Sequence, residues 1–309
     1  NITDYTDNAF MITSLDERVD IGNGVQASVL SFVSREFIVN QRSRVRRTLV
    51  GTYSKIIDTM LRTDLDSAKK FYSEPSVDSK KIIAPNITPF GVIGQATKNA
   101  VSKKHNDATY MFFENTHGFN FRTLASLYNN PALMEYTTFV PGTNIKDGII
   151  DVFRDLRTVL NYQIVSNNDS IANYRTGMFG SKLITHDIIS KSYEAKTYNY
   201  HDNWKNEAHI VSGVTEGTPD YPLVSHLTIT EEGLRVSDFP ARTFLMPTSL
   251  SGGVDSQHTT ENNTNPYMAY DPHKWLQRRN SQMIQLENAF QVNIMTHGNT
   301  LINAGDKVI

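Results

Sequence analysis

A short loop of small residues, Ser251–Ser256 with the sequence SGGVDS, is the part of this chain best suited to chemistry on a phosphate. Small residues let backbone amides wrap a pyrophosphate, and the dipole of a following helix supports its negative charge. That chemistry needs a buried strand before the loop and a helix after it. Here Pro247 interrupts the apolar run 244–246, and the polar stretch 257–263 shows no apolar stripe. The flanking residues therefore favour a plain connecting loop.

A second glycine-rich stretch, Gly22–Ala27 with the sequence GNGVQA, fits a loosened form of the dinucleotide-binding fingerprint. The fingerprint requires a helix that begins here and a carboxylate on a second strand about 20 residues later. The residues that follow alternate like a strand instead, and the stretch 40–47 is polar and basic. Asn23-Gly24 is a strong hairpin signal, because both residues accept a positive φ. We therefore predict a β-hairpin here.

The nine histidines show no metal-binding pattern. His201 and His209 do not have the i, i+4 spacing of zinc-binding helices, and no His-Glu-x-x-His motif occurs. His186 and Asp187 are neighbours in a strand-like run, where adjacent side chains point to opposite faces and do not form a simple pair. We expect all nine to be structural or surface residues.

Carboxylate pairs and nucleophiles give no stronger signal. Asp151 and Asp155 would share one face if residues 149–160 form a helix, and we expect that face to be solvated. The sequence has no Gly-x-Ser-x-Gly motif. It also has no cysteine, which excludes disulfides, thiolate zinc sites and cysteine nucleophiles. We therefore predict no catalytic, cofactor-binding or metal-binding residues, no cofactor, and a protein that is not an enzyme.

The overall composition is that of a globular protein. Of its 309 residues 39% are hydrophobic and 20% charged, and the net charge is −2, so the chain lacks the strong basic charge of a nucleic-acid binder. No apolar run approaches the ~20 residues of a membrane helix, and no signal peptide is recognisable. Because the chain begins at Asn1 and ends in the strand-like Val308-Ile309, we expect both ends of the natural protein to lie beyond it.

The first part of the chain combines strands with helices. Residues 1–40 read as strands, and residues 49–61 place apolar side chains at helical spacing. The polar stretch 64–87 reads as a loop. Thr88-Pro89 then predicts the start of a second helix, because threonine caps exposed amides and proline suits the first turn.

The basic stretch Arg42–Arg47 carries four arginines just before the first predicted helix. We favour the interpretation that this stretch is a solvent-exposed segment leading into that helix. Contact with an anion or with a partner protein is the alternative.

Residues 109–122 predict an aromatic hairpin, and Thr123 begins a short helix after it. RNA-binding sheets also display aromatic residues, but they add basic residues and a glycine-rich strand motif. Neither is present here. We therefore predict that the hairpin packs its aromatic side chains into a core: Tyr110, Phe112, Phe113, Phe119 and Phe121.

The later part of the chain is rich in predicted strands. Residues 149–160 fit either a strand or a helix. Residues 211–268 are rich in Gly, Pro, Ser, Thr and Asn and read as one long polar loop, which is usually functional or partly mobile. Strands are predicted at 183–188, 193–200 and 290–294, and a helix is predicted from Asp271-Pro272.

Two stretches resemble a known protein family. Residues 110–127, YMFFENTHGFNFRTLASL, look like the aromatic hairpin of baseplate hub proteins in contractile-tailed phages. Residues 177–187, GMFGSKLITHD, and the later Tyr198-Asn199-Tyr200 are also similar to that family. These motifs are packing features and identify no chemistry.

The resemblance implies a structural role in the virion. Such hubs resemble homotrimers in which each subunit supplies two barrels, so that six barrels form a ring. The ring adapts a six-fold tail tube to a three-fold central spike and contacts other baseplate proteins. It leaves a channel through which DNA passes without specific binding. Related architecture occurs in type six secretion spike proteins. Assembly in the host cytoplasm and location in the tail baseplate are the corresponding expectations.

The resemblance and the element order together predict an α+β, strand-rich chain of three domains. Two small tube-type β-barrels, the first of them incomplete, are expected to flank a helix-plus-hairpin domain. Residues 1–47 are the C-terminal part of the first barrel, residues 48–165 the inserted domain, and residues 166–309 the second barrel. The long polar segment 211–268 departs from the family pattern.

Two other functions remain open from the sequence. The loop Ser251–Ser256 is similar to the pyrophosphate-binding loop of the ATP pyrophosphatases, which would make the chain an ATP-binding enzyme. The long segment 211–268 would instead serve a module that binds carbohydrate or peptide polymers at cell surfaces.

Overall fold

The computed structural model shows an α+β protein that is rich in strands, which confirms the predicted fold class. Among the residues that the structure describes, each sheet has two or three strands and none closes into a barrel. The predicted barrels are therefore not seen as closed sheets. The described residues are 10–22, 25–77, 79–138, 145–146, 149–150, 157–165, 169–188, 191–204, 207, 230, 232–248, 272–288 and 291–309.

The first elements form a long two-stranded ribbon, β1 (Phe10–Gly22) and β2 (Val25–Ser34). The strands are antiparallel, and Gly22 lies opposite Val25. This pairing confirms the predicted hairpin and excludes the helix that a dinucleotide fingerprint needs. β2 runs directly into α1 (Arg35–Arg42). The strand prediction was wrong for this last stretch, because the chain turns helical to bury one side of α1.

Helix α2 (Tyr53–Thr59) starts where the Thr52 side chain accepts a hydrogen bond from the Lys55 amide. It continues into a π-helix at Met60–Asp64. The predicted start at residue 49 was wrong, because the cap fixes the first helical residue and Leu49 lies in the preceding strand β3 (Thr48–Gly51).

Short strands occupy the stretch 64–87 that was predicted as a loop. β4 (Phe71–Ser73) and β5 (Lys80–Ile83) each find a partner far away in sequence. β5 pairs with β3, and β4 pairs in parallel with a later strand. Their pairing is set by tertiary contacts and not by local pattern, so the loop prediction was wrong here.

The predicted helix–hairpin–helix order is confirmed. α3 (Pro89–Asn99) is capped by Thr88, whose side chain accepts from the Gly91 amide at 3.1 Å. β6 (Tyr110–Asn115) and β7 (Gly118–Thr123) form the aromatic hairpin. α4 (Leu124–Tyr128) follows, with Thr123 as its cap.

A second ribbon forms around residues 158–165. β8 (Thr137–Thr138), β11 (Thr158–Val165) and β15 (Gln291–Thr296) make a sheet in the order β15-β11-β8. The strand option for residues 149–160 therefore holds at Ile149–Ile150 and from Thr158 onward, and residues 151–156 lie outside the described residues. A short pair, β9 (Ile145–Lys146) and β10 (Ile149–Ile150), precedes β11.

The third main sheet has the order β13-β12-β14. β12 (Gly180–Asp187) and β13 (Ser192–Asn199) match the predicted strands. β14 (Arg242–Thr248) lies within the segment predicted as one polar loop, which is a correction. Pro247 does not interrupt this strand, because β14 is an edge strand and an edge tolerates proline.

The described residues include three further α-helices: α5 (Ser170–Arg175), α6 (Tyr200–Trp204) and α7 (Leu276–Glu287). α7 was predicted to begin at Asp271-Pro272. It begins later, after a 3-10 turn at Pro272–Lys274, and Asp271 lies outside the described residues. The shift places Trp275 at the helix boundary, where it provides no side-chain cap.

The apolar core is uneven along the chain. One large cluster, here called the hairpin core, joins α1, α2 and α3 to the aromatic hairpin. A smaller cluster lies beside the sheet β13-β12-β14 and is built from Met178, Phe179, Tyr198 and Tyr200. The domain boundaries at 47/48 and 165/166 stay predictions.

Candidate assembly surfaces

Several residues considered for chemistry lie outside the described residues: the loop Ser251–Ser256, the pair Asp151 and Asp155, and His209. His186 and Asp187 are described, and they point to opposite faces of β12 as expected. His201 contacts the Ser237 hydroxyl at 2.6 Å. Within the described part of the chain, no group of three or more histidine or carboxylate side chains could hold a metal ion.

The aromatic side chains of the hairpin pack into the core. Tyr110, Phe119 and Phe121 are almost completely buried. The Tyr110 and Phe121 rings stack with centroids 4.1 Å apart, and the Phe112 and Phe119 rings stack at 5.6 Å. A nucleic-acid platform would need these faces exposed, so the prediction of core packing is confirmed for these four residues.

The basic stretch before β3 is held by protein groups. Arg47 forms a two-pronged ion pair with Asp64, one contact at 2.9 Å. Arg46 donates to the Asn86 side chain at 2.7 Å. Arg44 donates to nearby backbone carbonyls. These contacts favour a structural role for the stretch over an anion-binding site.

The N-terminal ribbon, β1–β2, has one continuous apolar face. Opposed residues of an antiparallel pair share a face, and the register places Ile12 opposite Phe32 and Leu15 opposite Leu30. Bulges at Thr13 and Glu17 add one residue each to β1. Without the first bulge Leu15 would fall on the other face. The face comprises Phe10, Ile12, Leu15, Leu30 and Phe32, which are between 46% and 67% exposed.

Helix α1 fixes this ribbon to the hairpin core through a buried charge cluster, Glu36, Lys69 and Glu114. The Lys69 ammonium contacts Glu36 at 2.8 Å and also binds Glu114. Burial alone would raise the pKa of Glu36, but hydrogen bonds from Lys69 and Ser67 hold the pKa below its usual value. Burial would likewise lower the pKa of Lys69, and the two carboxylates raise it overall. Glu36 and Lys69 are therefore charged at neutral pH.

Two more contacts hold α1 in place. The Asn40 side chain accepts from the Phe90 amide at 2.8 Å, at the start of α3. Arg35 donates to the Asp66 backbone and side chain at 2.8 and 3.0 Å. Because β2 continues into α1 without a loop, these contacts also set the direction in which the ribbon leaves the core.

The second ribbon, β11–β15, has an apolar face and a mixed face. Its apolar face consists of two opposed pairs, Tyr162 with Ile294 and Ile164 with Val292, which are between 45% and 60% exposed. Its other face carries exposed carboxamides, with Gln163 opposite Asn293, together with the exposed side chains of Val165 and Met295. Neither strand contains a charged residue. An exposed surface without charge is unusual in a soluble domain and typical of contact surfaces.

The sheet β13-β12-β14 buries one face and exposes the other. α7 covers the inner face, where Gln277 donates to the Ser181 carbonyl at 3.0 Å and Ser281 donates to the Met178 carbonyl at 2.7 Å. On the outer face Ile184 lies opposite Leu245, and the Leu245 side chain is strongly exposed. This outer face is a third open strand surface, on which Ile184 and Leu245 lie beside Lys182 and His186.

α7 also connects the sheet β13-β12-β14 to the aromatic hairpin. Arg279 donates to the carbonyls of Ala108 and Tyr110 at 2.9 and 3.1 Å, and Arg278 donates to the Asn106 carbonyl. Burial lowers the pKa of Arg279, and the nearby Asp107 opposes that shift. The arginines therefore tie α7 to the base of the aromatic hairpin.

One buried carboxyl group lacks the compensation that Glu36 has. Burial raises the pKa of Glu207 to about 7. The Tyr198 hydroxyl donates to this carboxyl at 2.6 Å, and that bond and the charge of Arg278 oppose the shift without cancelling it. Burial beside Glu207 also raises the pKa of Tyr198.

The surfaces that distinguish this molecule are therefore strand faces with exposed apolar side chains. Reasoning from the sequence identified most of the strands but not which of their faces stay exposed. One signal was present: the runs 158–165 and 291–296 contain no charged residue. No helix within the described residues is long and apolar enough to cross a membrane.

Comparison with known proteins gives a limited result. No family model matches the sequence, and a search of curated proteins finds no match. A tail protein from Neisseria meningitidis MC58 aligns with a TM-score of 0.44 at 10% identity, over 97% of this chain and 68% of that one. Prophage tail protein gp18 from Listeria monocytogenes EGD-e aligns with a TM-score of 0.33 at 10% identity, over 65% of this chain and 52% of that one. Both TM-scores are low, so the function of this chain has to be inferred from its own residues and surfaces.

Proposed function

We propose that this chain is a structural subunit of a phage tail, and that it acts by assembly and not by catalysis. The observation that carries the proposal is the set of three open strand surfaces with exposed apolar side chains. A two-stranded ribbon is marginally stable in water by itself. Exposed apolar patches with polar surroundings mark protein contact sites. The chain therefore has the surface of a protein that is completed by neighbours.

The residues of the family resemblance fall in well-packed elements. The stretch 110–127 forms the aromatic hairpin and α4. The stretch 177–187 leads into β12, where Gly177 adopts a positive φ of 81° and Gly180 lies so close to the Ser237 carbonyl that a side chain would collide with it. The residues that carry the family resemblance therefore contribute to packing, as expected for a protein with a structural role.

The finer proposal is a baseplate hub subunit. In this proposal three copies form a ring with approximate six-fold symmetry, which joins the tail tube to the central spike and leaves a channel for DNA. The uncharged carboxamide face of β11–β15 and the net charge of −2 suit such a channel, because strong phosphate contacts would retain the DNA. The location would be the tail baseplate of the virion.

The mass of the purified protein in solution tests this function. One chain has a mass of 34.9 kDa. We expect native mass spectrometry to show a complex of about three times that mass, as the hub proposal requires, and a larger complex when the tail-tube or spike protein of the same phage is added. A stable monomer that binds neither protein would contradict the proposal.

A further inference from the structure

The two ribbons have apolar faces that differ in side-chain composition. The face of the N-terminal ribbon carries the rings of Phe10 and Phe32, whose centroids are 5.3 Å apart. The face of β11–β15 carries the β-branched Ile164, Val292 and Ile294 beside Tyr162. Large rings against β-branched side chains allow two sheets to interdigitate at the usual spacing of about 10 Å.

The area is sufficient for a specific contact. Nine large side chains line the two faces, and each is about half exposed. A large aromatic side chain buries ~150–250 Å² in full, so the apolar part of the contact would be on the order of 1,000 Å². Stable protein interfaces start at about this size. None of these nine side chains is charged. Arg18, opposite Ser28, lies on the same face of the N-terminal ribbon beyond the Leu15–Leu30 pair, so the apolar part of the contact ends at that pair.

The two ribbons of one molecule do not cover each other, since both faces stay exposed in the folded chain. The N-terminal ribbon is also held at its base by the charge cluster Glu36, Lys69 and Glu114 and by the Asn40 bond to α3. Within the described residues no surface covers either face, and a covering surface from another molecule fits both. A second copy of this chain supplies both matching faces at once, and head-to-tail repetition of that contact forms a ring when the rotation closes.

We propose that the apolar face of β1–β2 in one copy docks on the apolar face of β11–β15 in the next copy. The contact is head-to-tail, so each copy uses both of its ribbons and the carboxamide face of β11–β15 stays in contact with water. This inference rests on the oligomer proposed above and assigns the two surfaces that form it.

Two charge substitutions and their mixture test the contact. Phe32→Asp disables only the N-terminal ribbon, and Ile164→Asp disables only the second ribbon. We expect each purified variant to be a monomer in native mass spectrometry and sedimentation velocity. We expect an equal mixture of the two to form a dimer and nothing larger, because one intact face remains on each variant and only one contact can form.

Matched substitutions on the opposite faces serve as controls. Ala27→Asp lies on the other face of the N-terminal ribbon, and Gln163→Asp lies on the carboxamide face of β11. We expect both to keep the mass of the unaltered oligomer. Unchanged circular dichroism and melting of all four variants would show that they fold, since each altered side chain is exposed in the single chain.

The possible outcomes separate this contact from the proposed function. An unaltered protein that is oligomeric, together with Phe32→Asp and Ile164→Asp variants that are equally oligomeric, would overturn the contact and leave the hub proposal standing. Loss of assembly in only one variant would overturn it in favour of contact between two identical faces. A mixture that stays monomeric would also overturn it. An unaltered protein that is monomeric at every concentration would contradict the proposed oligomer itself.

Discussion

The hairpin core and the sheet β13-β12-β14 differ strongly in how much apolar surface they bury. Among the described residues, 17 apolar side chains form the buried cluster of the hairpin core, against four in the cluster beside the sheet. The sheet is instead held by polar contacts from α7, such as those of Gln277 and Ser281, and it leaves Leu245 exposed. The hairpin core buries most of its large apolar side chains within the chain, whereas the sheet and the two ribbons leave apolar side chains exposed.

The two regions also differ in how they treat buried charge. In the hairpin core Lys69 lies between two carboxylates, and the favourable contacts exceed the cost of burial. Beside the sheet, burial dominates and raises the pKa of Glu207 to about 7, so the carboxyl keeps its proton to a much higher pH than usual. The first arrangement stabilises the fold when charged, and the second stabilises it when protonated.

The largest expected difference comes from removal of a ring in the hairpin core. Phe121→Ala deletes a fully buried side chain that stacks on Tyr110, and we expect the free energy of unfolding to fall by about 4 kcal/mol. Phe32→Ala, on the exposed ribbon, should change it by less than about 0.5 kcal/mol in dilute, monomeric protein. Urea unfolding measures both values. Equal costs would show that the ribbon is buried within the single chain.

The charge cluster gives the next largest effect. Lys69→Met leaves Glu36 and Glu114 buried without a cation, and we expect a loss of about 3 kcal/mol in the free energy of unfolding. Adding Glu36→Gln and Glu114→Gln to this variant should recover part of the loss, because no uncompensated charge remains. Chemical unfolding of the single and triple variants makes the comparison. A triple variant less stable than the single one would contradict this account.

Two glycines with positive φ allow the cost of backbone strain alone to be compared with the cost of strain plus a steric collision. Gly118 has φ +134°, and a Cβ there would lie 2.3 Å from the Lys70 carbonyl oxygen, which also accepts from the Phe119 amide. Gly233, before β14, has φ +81° with no atom within 4 Å of the added carbon. We expect Gly118→Ala to cost about 3 kcal/mol and Gly233→Ala about 1 kcal/mol. Thermal melting of the two variants checks the order.

The smallest expected effect is a dependence on pH that has opposite signs in the two regions. The pKa of Glu207 is raised from 4.5 to about 7 on folding, so the folded state binds more protons than the unfolded state. The contribution of Glu207 to stability is therefore present in acid and declines as the pH rises from 4.5 to about 7. The pKa of Glu36 is lowered from 4.5, so its contribution is present above that pH and declines in acid. We expect Glu207→Gln to reduce the change of melting temperature between pH 5 and pH 8 by about 2–4 °C. An unchanged pH profile would contradict the role of Glu207.

Local signals predicted the hairpin core well. Thr88-Pro89 and Thr123 act as helix caps in the structure, since capping depends on residues within one turn. The aromatic hairpin was predicted for the same reason, as its strands are joined by a short turn. Strands β3, β4 and β5 escaped prediction, because each is short and has its partner far along the chain.

The strand β14 shows the same limit more sharply. Pro247 made residues 244–246 look too short for a strand, yet β14 pairs with the whole of β12 up to the pair Asp187–Thr248. The ladder accepts the proline because β14 has one neighbour, β12, among the described residues. Whether a strand lies at an edge is a property of the sheet, and the sequence around Pro247 does not contain it.

The amino-acid sequence by itself determined the fold class, the helix caps, the aromatic hairpin and the alternation of the main strands, because each depends on residues that are close together in the chain. Only the tertiary structure decided that α1 continues β2, that Lys69 pairs with Glu36 and Glu114, and that the ribbon faces of β1–β2 and β11–β15 stay exposed. These features depend on register and on contacts between distant segments. A one-residue bulge, as at Thr13, is enough to move a side chain from one face of a ribbon to the other.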